Sequence, residues 1–197
     1  MADDATAQMI RAILGEREPE TLPSEGKRAA GVLVLCSSRG GNDSLILTKR
    51  TSRVEHHKGE ISFPGGAKDP EDDSIIATAL RETHEEIGIT PSDVEVLGVL
   101  DQDSTRTGYL ISPVVGNLRG DSDFSANPYE VDTILQIPVS HLLDPKYRQH
   151  EESVMQGNLV SYSAYWYETD LIWGATARIL TGFLRLAGHC FTNNSVS

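Results

Sequence analysis

A chain of 197 residues and 21.5 kDa has the size of one domain with extensions, and folding would bury about 70% of its surface, enough for a core without staples. Its 17 basic and 29 acidic residues leave a net charge of −12, which makes the chain a poor partner for nucleic acid backbones or anionic membranes. Two cysteines, Cys36 and Cys190, exclude a disulfide scaffold and fit a reducing compartment. No apolar run approaches about 18 residues, and the acidic opening Met1–Asp4 lacks the basic and apolar regions of a signal peptide. The expectation is a soluble, cytoplasmic protein whose partner is a small molecule, with no nucleic acid and no membrane.

Taken in chain order, residues 4–14 predict a short helix with Ile10, Ile13 and Leu14 on its apolar side. Glu16 to Arg28 is polar, carries two prolines and reads as a surface arm. Ala30–Cys36 and Ser44–Thr48 are β-rich, and Gly40-Gly41-Asn42-Asp43 between them supplies the positive φ angles of a hairpin. Ile61-Ser62-Phe63 is a short strand stopped by Pro64-Gly65-Gly66. Asp73 or Ser74 caps a helix running to Ile87, and Gly88 is placed to end it. Further strands are predicted at 94–100, 109–118, 131–137 and 159–167, then a helix over 173–186. The order argues for an α/β protein with a mixed sheet between helices, divided as an N-terminal helix and arm (1–29), a main domain (30–187) and a mobile tail (188–197).

The informative segment is the glycine loop from Gly65 and the helix that follows it, with Arg81-Glu82-Thr83-His84-Glu85-Glu86. At about 100° per residue, Glu86 lies roughly 40° from Glu82 and Glu85 about 60° to the other side, so the three carboxylates share one face. Ile76, Leu80, Thr83 and Ile87 fall on a different face that can pack on a sheet. Like charges at this spacing cost about 0.2–0.5 kcal/mol per pair, and the helix C-terminus disfavours anions further. A hard divalent cation would reverse the sign of these terms, with Mg²⁺ taking one or two carboxylates and leaving positions for substrate phosphates. Arg81 is placed to orient a carboxylate, and the Gly66 carbonyl is a further oxygen donor.

With these residues in view, Gly66 through Ile89 resembles a Nudix box, whose signature is a glycine, five residues, a glutamate, seven residues, then Arg-Glu-U-x-Glu-Glu-x-Gly-U, U being apolar. Arg81, Glu82, Glu85, Glu86, Gly88 and Ile89 match in register; Thr83 stands at an apolar position. The loop is one residue longer and carries Asp72 or Asp73 in place of the first glutamate, as the coenzyme A diphosphatase branch of the family does. Outside the box, Leu45–Arg50, His57–Gly66, Asp103-Ser104, Thr107–Tyr109, Ser112–Gly116, Glu130-Val131 and Trp173–Ala177 are similar to that branch. The likeness runs from about Ala30 to Leu186. It implies a Nudix-type α/β/α sandwich and metal-dependent hydrolysis of coenzyme A or acyl-coenzyme A to 4′-phosphopantetheine, or its acyl form, and adenosine 3′,5′-bisphosphate.

The resemblance also implies roles. Glu82, Glu85, Glu86 and the Gly66 carbonyl would hold Mg²⁺ or Mn²⁺; Glu82, Glu85 or Glu130 would serve in catalysis, Glu130 as the loop candidate for general base; and Arg81 would orient. Arg50, His57, Lys58, Lys68 and Arg106 are the candidates for substrate binding. Tyr109, Tyr165, Trp166 and Trp173 are expected in the core, and Asp69, Asp72 and Asp73 in turns and caps. Glu55 stands where many branch members are basic, and Glu60 replaces a frequent glutamine. These departures keep open a Nudix hydrolase for ADP-ribose, a dinucleotide such as NADH or an oxidised nucleotide. A non-catalytic nucleotide sensor is disfavoured by the intact glutamates, and a Ca²⁺-stabilised structural domain by the lack of a regular D-x-D-x-D-G loop. Many members are dimers, so a homodimer enters as an expectation of the resemblance alone.

Overall fold

The computed structural model describes residues 2–39, 42–51, 59–120, 122–155 and 158–192. Strand β1 (Arg28–Ser37) is its centre, because Gly31–Cys36 is apolar at every position and can be buried on both faces. It runs antiparallel to β2 (Ser44–Arg50) and β4 (Gly65–Ala67), and parallel to β7 (Tyr109–Leu118). Strands β3 (Ile61–Ser62) and β8 (Val131–Pro138) join on β2, while β5 (Val94–Val99) and β6 (Asp103–Ser104) join on β7, giving an eight-stranded mixed sheet. A second, antiparallel sheet holds β9 (Arg148–Met155), β10 (Asn158–Tyr167) and β11 (Asp170–Ile172).

The two-residue period of β1 sorts its side chains into two cores. Leu33 and Leu35 join Ile46, Val114 and Leu118 beneath α2 (Ile75–Ile87), with Ala79 and Ile87 of that helix. Val34 and Cys36 face the other way, towards α1 (Ala2–Gly15) and α4 (Gly174–Thr192), in a cluster with Ile10, Leu14, Leu180 and Phe183. Helices therefore cover both faces of a mixed sheet, the predicted α/β layering. A short α3 (Val139–Leu143) packs on α4.

Some expectations hold and others are corrected. The first helix packs by the apolar side expected of it: Ala7, Ile10 and Leu14 are buried, and a Cβ on Gly98 of β5 would lie 2.7 Å from Leu14 Cβ. The arm after it is pinned to the body, with Gln102 Nα donating to Glu20 O and Leu22 Nα to Gln102 Oε1. On α2 the buried stripe is Ala79, Thr83 and Ile87, while Ile76 and Leu80 are half-buried at its rim. The last helix continues past Leu186 to Thr192, because Cys190 and Phe191 are buried and a Cβ on Gly188 would meet Leu143 at 3.0 Å. Strands β4, β6, β9 and β11 carry little apolar alternation and are not among the predicted strands; β4 forms where Pro64-Gly65-Gly66 is expected to stop one, because it pairs with β1. The glycines of the β1–β2 turn lie outside the described residues. Tyr165 is in the core as expected, but Trp166 and Trp173 are exposed.

Candidate active site

Glycines bring the site together. At Gly31 a Cβ would stand 2.7 Å from Ile75 O, so the bare backbone of β1 lets the start of α2 approach. Strand β4 pairs with β1 at this level, Gly66 opposite Gly31. A Cβ on Gly66 would lie 2.5 Å from the Glu82 carboxylate, and one on Gly65 would lie 2.4 Å from Gly31 O. The glutamate thus rests directly against the glycine backbone. Helix α2 is capped as predicted, and the structure chooses Ser74: its Oγ accepts from Ala77 Nα at 3.1 Å. Gly88, at φ 76°, closes the other end with its N–H on His84 O.

Beyond Gly88, the helix's last carbonyls are met by an incoming loop. Ser125 Nα donates to Ile87 O at 2.9 Å and Asn127 Nα to Glu86 O at 2.8 Å. Glu130 follows on that loop, and its carbonyl accepts from Thr51 Nα. Its charge is felt by both Glu82 and Glu86.

Arg81 is the hub. Its Nε and Nη2 donate to Asp72 Oδ1 and Oδ2 at 3.0 and 2.9 Å, Nη2 also to Ala67 O, and Nη1 to Glu82 Oε1 and Glu85 Oε2 at 3.0 and 3.1 Å. Such a two-pronged pair fixes a guanidinium plane. Asp72 also accepts from Thr78 Oγ1 and Asp69 Nα. The Arg81 hydrogen bonds hold the Asp72 carboxyl far below the ordinary carboxylate range, and Asp72 in return pushes Arg81 up. The expected turn chemistry of Asp72 holds, its N–H donating to Asp69 O and its carboxylate accepting from Asp69 Nα, and it has a further role in anchoring the arginine, while Asp73 is exposed.

The glutamates of the cluster differ sharply. Glu85 is half exposed. Burial pushes the Glu82 carboxyl up, against the pull of Arg81. Glu86 is 2% exposed, its Oε1 is 3.5 Å from Arg50 Nη1, and its Oε2 has no hydrogen-bond partner. Burial first, then the charges of Glu130 and Glu82, raise Glu86 to about 8, while Arg50 and the Gly65 N–H hold it down. An unpartnered, buried carboxylate oxygen beside a second, half-buried carboxylate is a donor set that a hard cation fits. Among the described residues, no three acidic, histidine or cysteine side chains stand ready-made around one point: Arg81 holds Glu82 and Glu85, while Glu86 faces Arg50.

Arg50, Gly65 and Gly66 connect this cluster to a cleft of about 1010 Å³, which opens on the α4 side of the sheet. The β2–β8 ladder shifts register after Lys49, with Asp132 the extra residue on β8, and Arg50 lines the cleft. Glu60, Phe63, Arg106, Tyr109, Trp173 and Arg178 also line it. Arg178 is committed to Asp103, with Nε and Nη2 on the carboxylate at 2.9 and 3.0 Å. Of the predicted substrate-binding residues, Arg50 and Arg106 reach the cleft. Lys68 is exposed and does not line it, because its backbone N–H closes β4 onto Ala29 O and its side chain projects outward. His57 and Lys58, with Glu55, lie outside the described residues. Trp173 and Arg178 are parts of the cleft that the sequence reading did not name as site residues; the signal for Trp173, and for Asp103 that holds Arg178, was their place in the segments Trp173–Ala177 and Asp103-Ser104 similar to the branch.

The family model described as the NUDIX domain matches residues 26–173. The chain belongs to the Nudix family. It is 38% identical over 163 residues to an uncharacterized Nudix hydrolase, NudL, of Photorhabdus laumondii, covering 82% of this chain and 86% of that one. A NudL of Escherichia coli O7:K1 is 39% identical over 153 residues, 78% of this chain and 79% of the relative. Among solved structures, a Caenorhabditis elegans Ap4A hydrolase binary complex superposes with a TM-score of 0.50 at 19% identity, over 56% of this chain and 80% of that one. The Mycobacterium smegmatis Nudix hydrolase RenU gives 0.50 at 20%, over 59% and 74%. Likenesses at these identities show the fold alone. The chain is a Nudix hydrolase, an enzyme acting on the diphosphate bond of a nucleoside diphosphate-linked substrate, and the family generally uses divalent metal ions. No helix among the described residues is long and apolar enough to cross a membrane.

Proposed function

We propose that the enzyme is a coenzyme A or acyl-coenzyme A diphosphatase, releasing 4′-phosphopantetheine, or its acyl form, and adenosine 3′,5′-bisphosphate. One observation carries the reading: Asp72, on a loop one residue longer than the ordinary signature, takes both prongs of Arg81. The aspartate-bearing long loop is thus a working substitute for the usual glutamate, in the form that resembles this branch.

Glu82 and Glu86, with the Gly66 carbonyl and Glu85 at the exposed edge, would hold Mg²⁺ or Mn²⁺. When bound, such an ion neutralises charge on the diphosphate and lowers the pKa of an attacking water. Arg81 holds Glu82 and Glu85 in place, and Asp72 holds Arg81. Arg50, between Glu86 and the cleft, supplies a positive charge to a phosphate oxygen. Glu130, delivered beside Glu82 and Glu86 by a loop fixed to the helix end, takes the proton of the attacking water. A second reading, hydrolysis of ADP-ribose or a dinucleotide such as NADH, is favoured by Glu60, a carboxylate in the cleft wall that opposes an additional phosphate.

The test is a product assay with Mg²⁺ or Mn²⁺ and coenzyme A, ADP-ribose or NADH, the products separated by anion exchange and Glu86→Gln as the control. Adenosine 3′,5′-bisphosphate from coenzyme A, lost in the variant, is the expected result. Cleavage of ADP-ribose or NADH with coenzyme A untouched would replace the first reading by the second.

A further inference from the structure

Three aromatic side chains line the cleft, and they differ in what they leave open. Phe63 is buried in the core at 2% exposure. Tyr109 carries the Arg28 guanidinium over its ring, 5.6 Å from the centroid, and its hydroxyl accepts from Arg28 Nη1 at 3.4 Å. Trp173 alone of the three stands open, 47% exposed. Strand β11 ends on fully buried Ile172, so the next side chain points away from the core, and Gly174 at φ 65° turns the chain into α4. Among the described residues the Trp173 indole N–H has no acceptor. Trp166, also exposed, lies outside the cleft and donates Nε1–H to Gln149 Oε1 at 3.0 Å.

A large ring held at the wall of a substrate cleft gains nothing from water and little from the core. A flat π-face offered to solvent is what a nucleobase stacks on, and every base has a matching face. The remaining requirement is distance from the chemistry. The cleft meets the carboxylate cluster at Arg50, Gly65 and Gly66, and Trp173 belongs to the α4 side, with Ala175 and Thr176. Its volume of about 1010 Å³ lies at the upper end of the small-molecule range, room for a substrate that extends well beyond a diphosphate.

We propose that Trp173 is the platform on which the substrate's nucleobase stacks, so that the diphosphate lies at Gly66 and Arg50 while the base reaches the start of α4. This deepens the proposed function and rests on its nucleotide half, not on coenzyme A as such. The chain holds two tryptophans, so Trp166→Phe leaves Trp173 as the sole indole reporter. In that protein AMP is expected to quench the fluorescence saturably, and ribose 5-phosphate, which lacks the base, is not. In turnover of whichever diphosphate the enzyme cleaves, Trp173→Leu, which keeps bulk without the ring, raises KM roughly tenfold at unchanged kcat, and Trp173→Phe stays within about threefold of the parent. Equal quenching by AMP and ribose 5-phosphate, no quenching by AMP, or kcat loss shared by Leu and Phe would overturn the platform. Quenching by AMP together with cleavage of ADP-ribose but not coenzyme A would keep the platform and retire the coenzyme A reading.

Discussion

Glu86→Gln should make the metal-free protein more stable while abolishing its activity. A carboxyl that titrates at 4.5 when exposed and at about 8 in the fold is ionised more easily in the unfolded chain. Ionisation therefore favours unfolding, and stability falls as pH rises from 4.5 towards 8. At pH 7 the full difference corresponds to about 3 kcal/mol as an upper bound. The glutamine removes that penalty but gives up the Arg50 contact at 3.5 Å, leaving a net gain of about 1–2 kcal/mol. With an m-value of about 2 kcal/mol/M, the urea midpoint in EDTA at pH 7 to 8 should rise by about 0.5–1 M. The gain should vanish near pH 4, where the parent carboxyl is protonated in both states. Mg²⁺ or Mn²⁺ should stabilise the parent and not the variant, because only the parent presents the buried anion. Turnover should fall by about 10²-fold or more. A variant less stable than the parent at pH 8 in EDTA, or one with the same pH slope, would show that Glu86 is not held as an uncompensated charge.

Asp72→Asn should lower the urea midpoint, since Arg81 loses its two-pronged acceptor; because the Asp72 carboxyl is held below its ordinary range, the penalty should be full above about pH 4, shrink steadily below it as the unfolded chain takes up a proton that the folded carboxyl resists, and be gone below the folded-state value, so equal penalties at pH 3 and pH 7 would refute this. Gly31→Ala places a Cβ 2.7 Å from Ile75 O, so it should cost about 1–3 kcal/mol in urea titrations and reduce activity by shifting α2. Glu130→Gln should reduce kcat by about 10²–10⁴-fold and leave metal affinity, read by calorimetry, within about threefold; unchanged kcat would move the general base elsewhere.

What the sequence made legible was whatever is decided locally. The face of α2, its N-cap at one of Asp73 and Ser74 and its C-cap at Gly88 follow from a helical period and local capping chemistry, and β1 follows from an apolar run that only a central strand can bury. Elements decided by their partners were not legible. Strand β9, Arg148–Met155, is polar along most of its length and exists because β10 pairs with it. Helix α4 outruns its predicted end at 186, and Gly188, a residue type that often closes helices, is here a close contact with Leu143. Tertiary burial of Cys190 and Phe191 carries the helix past it.

The site divides along the same line. Glu82, Glu85 and Glu86 share a face by arithmetic alone, yet their environments are set by residues far away in the chain: Arg50 from β2, Glu130 from the loop after β7, and the glycines of β4. A cluster of like charges at the end of a helix would be unfavourable left to itself. The fold offsets it unevenly. Arg81 neutralises Glu82 and Glu85, and Asp72 prevents that arginine from leaving, while Glu86 receives a distant guanidinium and the Gly65 N–H and keeps an oxygen without a partner. On the proposed reading, that imbalance is what prepares the site for a cation. Were every carboxylate fully paired, a divalent ion would have to break a salt bridge to bind; with one oxygen left buried and unmet, binding removes a cost that the metal-free protein carries.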